Sequence, residues 1–212
     1  MNHDTQPRIG VLAIQGDYEA HAKALEETGA IPSLVKTPEA LESLDGLILP
    51  GGESTTMLKF LERDNFFETL QAFAQQKPVF GTCAGAILLA KDVRNPIHPD
   101  QTQRSLGILD IAVERNAYGR QIDSAILNLE TSLPGNAAEP AGTMETVFIR
   151  APRILEVGPQ VEVLAARDAF PVLVRSGNKM AATFHPELSV DRRVHRLFVE
   201  AVKDWLNDSR PK

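Results

Sequence analysis

The sequence predicts an α/β fold, a doubly wound and mostly parallel sheet with helices on both faces. Three observations carry that prediction. Short apolar runs alternate with amphipathic stretches through the first half of the chain, and strand–helix–strand units at that spacing close through right-handed crossovers. The first strand candidate, residues 9–14, is a continuous run of mostly branched apolar residues, as a strand covered on both faces requires. The last amphipathic stretch carries Val194, Leu197, Phe198, Ala201, Val202, Trp205 and Leu206 on one helical face, the stripe of a helix packed on a sheet.

The elements follow in order. After the strand at 9–14, Asp17 stands where it can cap a helix running to Leu25, which Gly29 stops. Residues 33–35 form a second strand, and Pro38 opens a brief helix at its favoured first position. A third strand, 46–49, ends at Pro50-Gly51-Gly52, with helices following over 54–61 and 66–73. A fourth strand at 78–82 leads almost without a loop into a helix at 85–91. The second half is richer in strand candidates: 111–113, 126–129, 147–149, 161–165, 172–174 and 181–184. Two stretches without apolar periodicity, 94–105 and 132–143, read as loop insertions.

Size and charge bound the rest. At about 150 residues per domain, 212 residues read as one domain with insertions, residues 1–212, preceded by a polar tail at 1–7. The 22 basic and 28 acidic residues leave a net charge of −6, which argues against non-specific nucleic-acid or anionic-membrane binding. The polar start lacks a signal pattern and no run of about 18 apolar residues occurs, so a cytoplasmic location is expected. The one cysteine, Cys83, permits no intrachain disulfide and no cysteine-based metal cluster. It is therefore either an inert core thiol or the one reactive thiol.

Its surroundings bear on that choice. Gly81-Thr82-Cys83-Ala84-Gly85 lies between a strand and a helix, and small residues on either side of Cys83 permit a sharp turn that lifts the thiol above the sheet edge. The helix start behind it favours a thiolate. The strand at 181–184 runs into His185-Pro186-Glu187. In extended chain, favoured at His185 by the following proline, positions i and i+2 project to one side, so Glu187 can hold one imidazole nitrogen while the other faces a nucleophile. A strand-end histidine beside a solvated carboxylate is the plain alternative. The other histidines compete less well: His3 lies in the tail, His98 in an insertion, and His21 and His195 are expected to face solvent. Pro50-Gly51-Gly52-Glu53-Ser54 could offer an N–H to an oxyanion, or be a tight turn with Ser54 as an ordinary helix cap. It lacks the Gly-Lys-Ser/Thr ending of a phosphate-binding loop. Gln15-Gly16, this loop, Cys83 and His185 all fall at carboxyl ends of predicted strands, where ligands bind open parallel sheets.

With these motifs the chain resembles the triad glutamine amidotransferases, whose glutaminase domains have a flavodoxin-like, doubly wound fold. Longer segments narrow the resemblance to the glutaminase subunits of pyridoxal 5′-phosphate synthases: Gln15-Gly16, DGLILPGGESTT, ERNAYGRQIDS, VFIRAP and FHPELSVDRRVHRLF. The resemblance implies Cys83 as nucleophile, His185 as general base and then acid, and Glu187 as its orienter. It implies glutamine contacts at Gly52, Glu53, Ser54, Arg115, Ile149 and Arg150, with backbone N–H groups at Gly52 and Ala84 for the oxyanion. A surface ion pair remains open for either arginine. The implied reaction is hydrolysis of L-glutamine to glutamate and ammonia, without cofactor or metal. The ammonia would pass to a synthase subunit in a hetero-oligomeric complex, which would also activate the glutaminase. Both loop insertions depart from the family pattern in length. A glutaminase for another synthase, a cysteine amidase or peptidase on the same fold, and a non-catalytic binding module are the competing functions. The last would need a broken triad, yet Cys83, His185 and Glu187 are all present.

Overall fold

A computed structural model describes residues 6–98, 103–115, 124–135, 139 and 141–209. The first part of the predicted tail, parts of both predicted insertions and most of the ERNAYGRQIDS segment lie outside the described residues. Strands β1 (Arg8–Leu12), β2 (Ile31–Val35), β3 (Gly46–Leu49), β4 (Val79–Thr82) and β12 (Lys179–Ala182) form the parallel half of a nine-stranded sheet, in the order β2-β1-β3-β4-β12. The sheet continues through β11 (Phe170–Ser176), β10 (Glu162–Arg167), β7 (Ala125–Thr131) and β8 (Gly142–Phe148), all antiparallel to their neighbours.

Alternation of side chains along the parallel strands divides the core between two faces. Leu12, Leu47, Leu49 and Val79 pack against α2 (Ser54–Leu61), α3 (Phe66–Gln76) and α4 (Ala84–Leu89), whereas Ile9, Val11, Ile48 and Phe80 meet α1 (Tyr18–Glu27) and α5 (Arg193–Asp208). The predicted C-terminal stripe is correct in direction: Val194, Phe198 and Val202 are buried, and the Phe198 ring lies 5.7 Å from that of Phe80.

Three expectations change. The helix predicted over 85–91 ends at Leu89, because Ala90 begins β5 (Ala90–Arg94), a strand with no sequence forecast. It pairs with β6 (Leu109–Glu114), which pairs with the equally unforeseen β9 (Arg153–Val157), making a second sheet of three strands. Both new strands are only five residues long, β5 is mostly charged, and neither burial pattern shows clean alternation, although β9 carries Ile154, Leu155 and Val157. β8 takes up the end of the loop predicted at 132–143, beginning at Gly142. Asp17 occupies the N-cap position of α1 but its side chain makes no capping bond; backbone bonds such as Tyr18 N–H to Gly16 O at 2.9 Å shape the entry instead.

Among the described residues no helix is long and apolar enough to cross a membrane. Phe198 is wholly buried between α5 and the sheet. Phe198→Ala should destabilise the fold by about 3–5 kcal/mol, read from the urea midpoint; a loss under ~1 kcal/mol would show that α5 is not part of the cooperative core.

Candidate active site

The strand β4 runs directly into Cys83, and Cys83 into α4. The residue adopts φ 49° and ψ −105°, a strained conformation for a side chain larger than glycine's. Its N–H donates to Ala182 O at 2.8 Å, which ties the turn to β12. Glycine is required behind the turn, since a Cβ on Gly85 would overlap the Leu49 carbonyl and one on Gly81 would come within 2.5 Å of the Gly85 backbone. The sharp elbow predicted from Gly-x-Cys-x-Gly is therefore present. Cys83 is buried but lines a cavity, and its Sγ lies 3.9 Å from Ile149 O.

The chain leaves β12 at Ala182, buries Phe184 against Phe148, and brings the N–H of His185 to Val147 O at 2.8 Å. Pro186–Leu188 then forms a 3-10 turn. The His185–Glu187 pairing arises from that turn and not from the extended geometry expected, because proline opens the turn as its first residue. The outcome is the expected one: His185 Nδ1 lies 2.8 Å from Glu187 Oε1, with both side chains buried. Gly51 makes room for the ring, as a Cβ there would strike His185 Cε1. Burial opposes a charge on His185, but the Cys83 thiol and the Glu187 carboxylate outweigh it and raise the imidazolium pKa to about 10.

Cys83 and His185 open onto a cavity of about 330 Å³ shared with Gly16, Gly52, Ser54, Arg115, Ile149 and Arg150. The convergence expected at one sheet edge is present. Gly52 has φ 137°, and its missing Cβ gives way to the Gln15 side chain, whose Nε2 donates to Glu53 O at 3.1 Å. Ser54 is not the helix cap. Glu53 caps α2, its carboxylate accepting from Thr55 N at 3.2 Å, from Thr56 N at 2.8 Å and from both threonine hydroxyls. The buried Ser54 hydroxyl donates to Gln103 Oε1 at 3.0 Å, and Gln103 also accepts from Arg115 Nη1. Arg115 Nη2 stands 3.7 Å from Glu53, so this arginine has an ion-pair partner inside the site. Arg150 is exposed at the rim, in a left-handed conformation with φ 44°. A larger open groove of about 500 Å³, near Leu41, Phe73 and Lys77, holds no nucleophile–base pair.

Several residues of this region escape the sequence reading. Gln103 lies in an irregular loop and carried no signal. His21 and His195, expected at the surface, are fully buried. Spacing marked them: His21 lies at i−3 and i−4 from Ala24 and Leu25, and His195 at i−3 and i−4 from Phe198 and Val199, all buried. The reading that places both outside the apolar stripes of their helices is wrong, since each lies on the buried face.

The fold is that of a solved glutamine amidotransferase, with a TM-score of 0.80 at 43% identity, covering 92% of this chain and 98% of that one. The chain belongs to the SNO glutamine amidotransferase family, whose profile matches residues 11–204. It is 58% identical over 197 residues to the pyridoxal 5′-phosphate synthase subunit PdxT of Koribacter versatilis, covering 93% of this chain and 96% of the relative. Its identity to the PdxT subunit of Thermotoga maritima is 50%, covering 92% of this chain and all of the relative.

Two pH effects follow. The raised pKa of His185 means that its charge adds stability that is complete below pH 6.5 and lost as pH rises through about 10. Its ring resonances should hold constant across neutral pH and titrate near 10; titration near 6.5 would contradict this environment. Burial opposes the Glu53 charge, yet bonds from Thr55 and Thr56 depress its pKa from 4.5 to about 2, so its contribution is full above 4.5 and lost as pH falls through about 2. Glu53→Ala should cost about 1 kcal/mol at neutral pH, the worth of a helix cap, with the difference vanishing at the acid end. A pH-independent difference in urea unfolding would contradict the capping role.

Proposed function

We propose that this chain is the glutaminase subunit of a pyridoxal 5′-phosphate synthase, hydrolysing L-glutamine and delivering the ammonia to a synthase subunit in a hetero-oligomeric complex in the cytoplasm. The observation that carries the reading is a single strained-elbow thiol beside a buried imidazole–carboxylate pair, opening on a cavity of amino-acid size. Membership of the SNO glutamine amidotransferase family and the names of its relatives support the choice of substrate and partner.

In this reading Cys83 Sγ attacks the side-chain amide carbon of glutamine while backbone N–H groups at Gly52 and Ala84 hold the developing oxyanion. The imidazolium of His185 stabilises the thiolate and then gives its proton to the departing amine, releasing ammonia and leaving a glutamyl thioester. His185, now neutral, takes a proton from water as the water attacks the thioester, and glutamate leaves. Glu187 keeps the ring oriented throughout. Arg115 and Arg150 offer guanidinium groups to the substrate carboxylate, with Ser54 and the backbone around Glu53 and Ile149 lining the amino-acid end.

Cys83→Ala should lower glutamine-dependent ammonia release on the order of 10⁴-fold or more while the variant still binds the synthase subunit. Activity near that of the unaltered chain would overturn the mechanism. Adding the synthase subunit should raise turnover of the unaltered chain, and equal turnover with and without it would contradict activation by the partner.

A further inference from the structure

Two buried histidines stand behind the His185–Glu187 pair and have no part in the steps above. His21 comes from α1 and His195 from α5, the two helices on one face of the sheet. His21 Nδ1 lies 3.0 Å from His195 Nε2. On its other side, His21 Nε2 is hydrogen-bonded to Thr82 Oγ1 at 3.1 Å, on the residue before Cys83, and lies 3.2 Å from Glu187 Oε2, a close polar contact to an oxygen that makes no aligned hydrogen bond among the described residues. Glu187 Oε1 is taken by His185 Nδ1 at 2.8 Å. One connected chain thus runs from α5 through α1 to the carboxylate and on to the ring that faces Cys83.

Counting protons gives this chain a direction. Both inner rings are neutral: burial, aided by His195 and His185, pushes His21 well below 6.5, and burial with the Arg192 charge lowers His195 to about 3. A neutral imidazole has one N–H. The carboxylate oxygen can only accept, so the proton of His21 belongs on Nε2, hydrogen-bonded to Thr82 Oγ1 with its positive edge 3.2 Å from Glu187 Oε2. Nδ1 of His21 must then accept, and the donor is His195 Nε2–H. This leaves His195 Nδ1 bare, and that atom has no hydrogen-bond partner among the described residues. A bare acceptor is the less costly group to leave unpaired in the interior, an unpaired N–H the rarer and dearer one. One tautomer set therefore satisfies both hydrogen bonds of His21, and it places the His21 N–H on the side of the triad.

We propose that His21, seated by His195, is a positioning residue that holds the second oxygen of Glu187 and so fixes the orientation of the His185 ring over Cys83. The proposal rests on the glutaminase reading and extends it by one residue that does not touch the substrate. A leucine would fill the same space between α1 and the sheet, but would put hydrocarbon in place of the N–H edge that stands 3.2 Å from Oε2. With His185 bonded to Oε1 and the N–H edge of His21 against Oε2, rotation of the carboxylate is opposed, and with it that of the imidazole it carries.

The test measures ammonia release from glutamine in the complex with the synthase subunit. His21→Leu should lower kcat about 10–100-fold, the usual effect of removing the partner of a catalytic ligand, with little change in KM. His21→Gln, whose amide nitrogen can stand near the place of Nε2 and donate to Oε2, should recover most of the loss. In a Glu187→Gln background, His21→Leu should alter the residual rate by no more than about twofold, because the residue it acts through has lost its charge. A merely structural histidine would give the same loss in both backgrounds and no rescue by glutamine, and either result overturns the proposal. Nitrogen-15 spectra of the unaltered chain supply a test independent of any variant: His21 and His195 should both be neutral Nε2–H tautomers, and an Nδ1–H tautomer at His21 overturns the assignment. If the unaltered complex releases no ammonia from glutamine, the glutaminase reading itself fails and this proposal with it. Normal release together with an unaffected His21→Leu defeats the positioning role alone.

Discussion

The contact on which the site depends is the close approach of α4 to β3 at Gly85 and Leu49. With no Cβ on Gly85, its backbone settles against the Leu49 carbonyl, and the helix can begin immediately after the strand. Cys83 is forced into a left-handed turn by that proximity, and its strain is held in place by the N–H bond to Ala182 on the neighbouring parallel strand. The thiol consequently stands at the carboxyl end of the sheet, over the crevice in which open α/β sheets take their ligands. Any side chain at Gly85 would push α4 outward and lower the thiol into the core.

The second constraint is electrostatic. The region below the thiol is buried, yet it holds Glu187, His185, His21 and His195, whose polar atoms are costly there and are for the most part paired with one another. Charge is confined to one spot: His185 keeps its proton because the Cys83 thiol and the Glu187 carboxylate both face it, whereas the two inner rings stay neutral under burial. The pattern separates a charged, substrate-facing layer from a neutral layer behind it. The loop after β3 follows a similar division of labour, with the Glu53 carboxylate spent on capping α2 and its backbone left to the cavity.

Local patterns made much of this legible from sequence. Gly-x-Cys-x-Gly encodes the elbow within five residues, and His185-Pro186-Glu187 encodes a pair that needs no long-range information, so both were readable. The route to the second was not: Pro186 starts a 3-10 turn, and extended chain delivers the same pairing by a different geometry. β5 and β9 were invisible because each is five residues long without clean alternation and becomes a strand only by pairing with β6. Gln103, which joins Ser54 to Arg115, comes from an irregular loop where periodicity says nothing. His21 and His195 were read as lying outside the apolar stripes of their helices, yet each precedes buried residues by three and four positions, and a histidine at that spacing should be read first as buried.

Because Cys83 is the one cysteine in the chain, a thiol reagent addresses the central claim without mutation. The protein in complex with its synthase subunit is treated with iodoacetamide, with and without glutamine, and intact mass is followed alongside ammonia release. Modification of one thiol should track the loss of activity in a single phase, and glutamine should slow both. Full ammonia release by stoichiometrically alkylated protein would contradict the account.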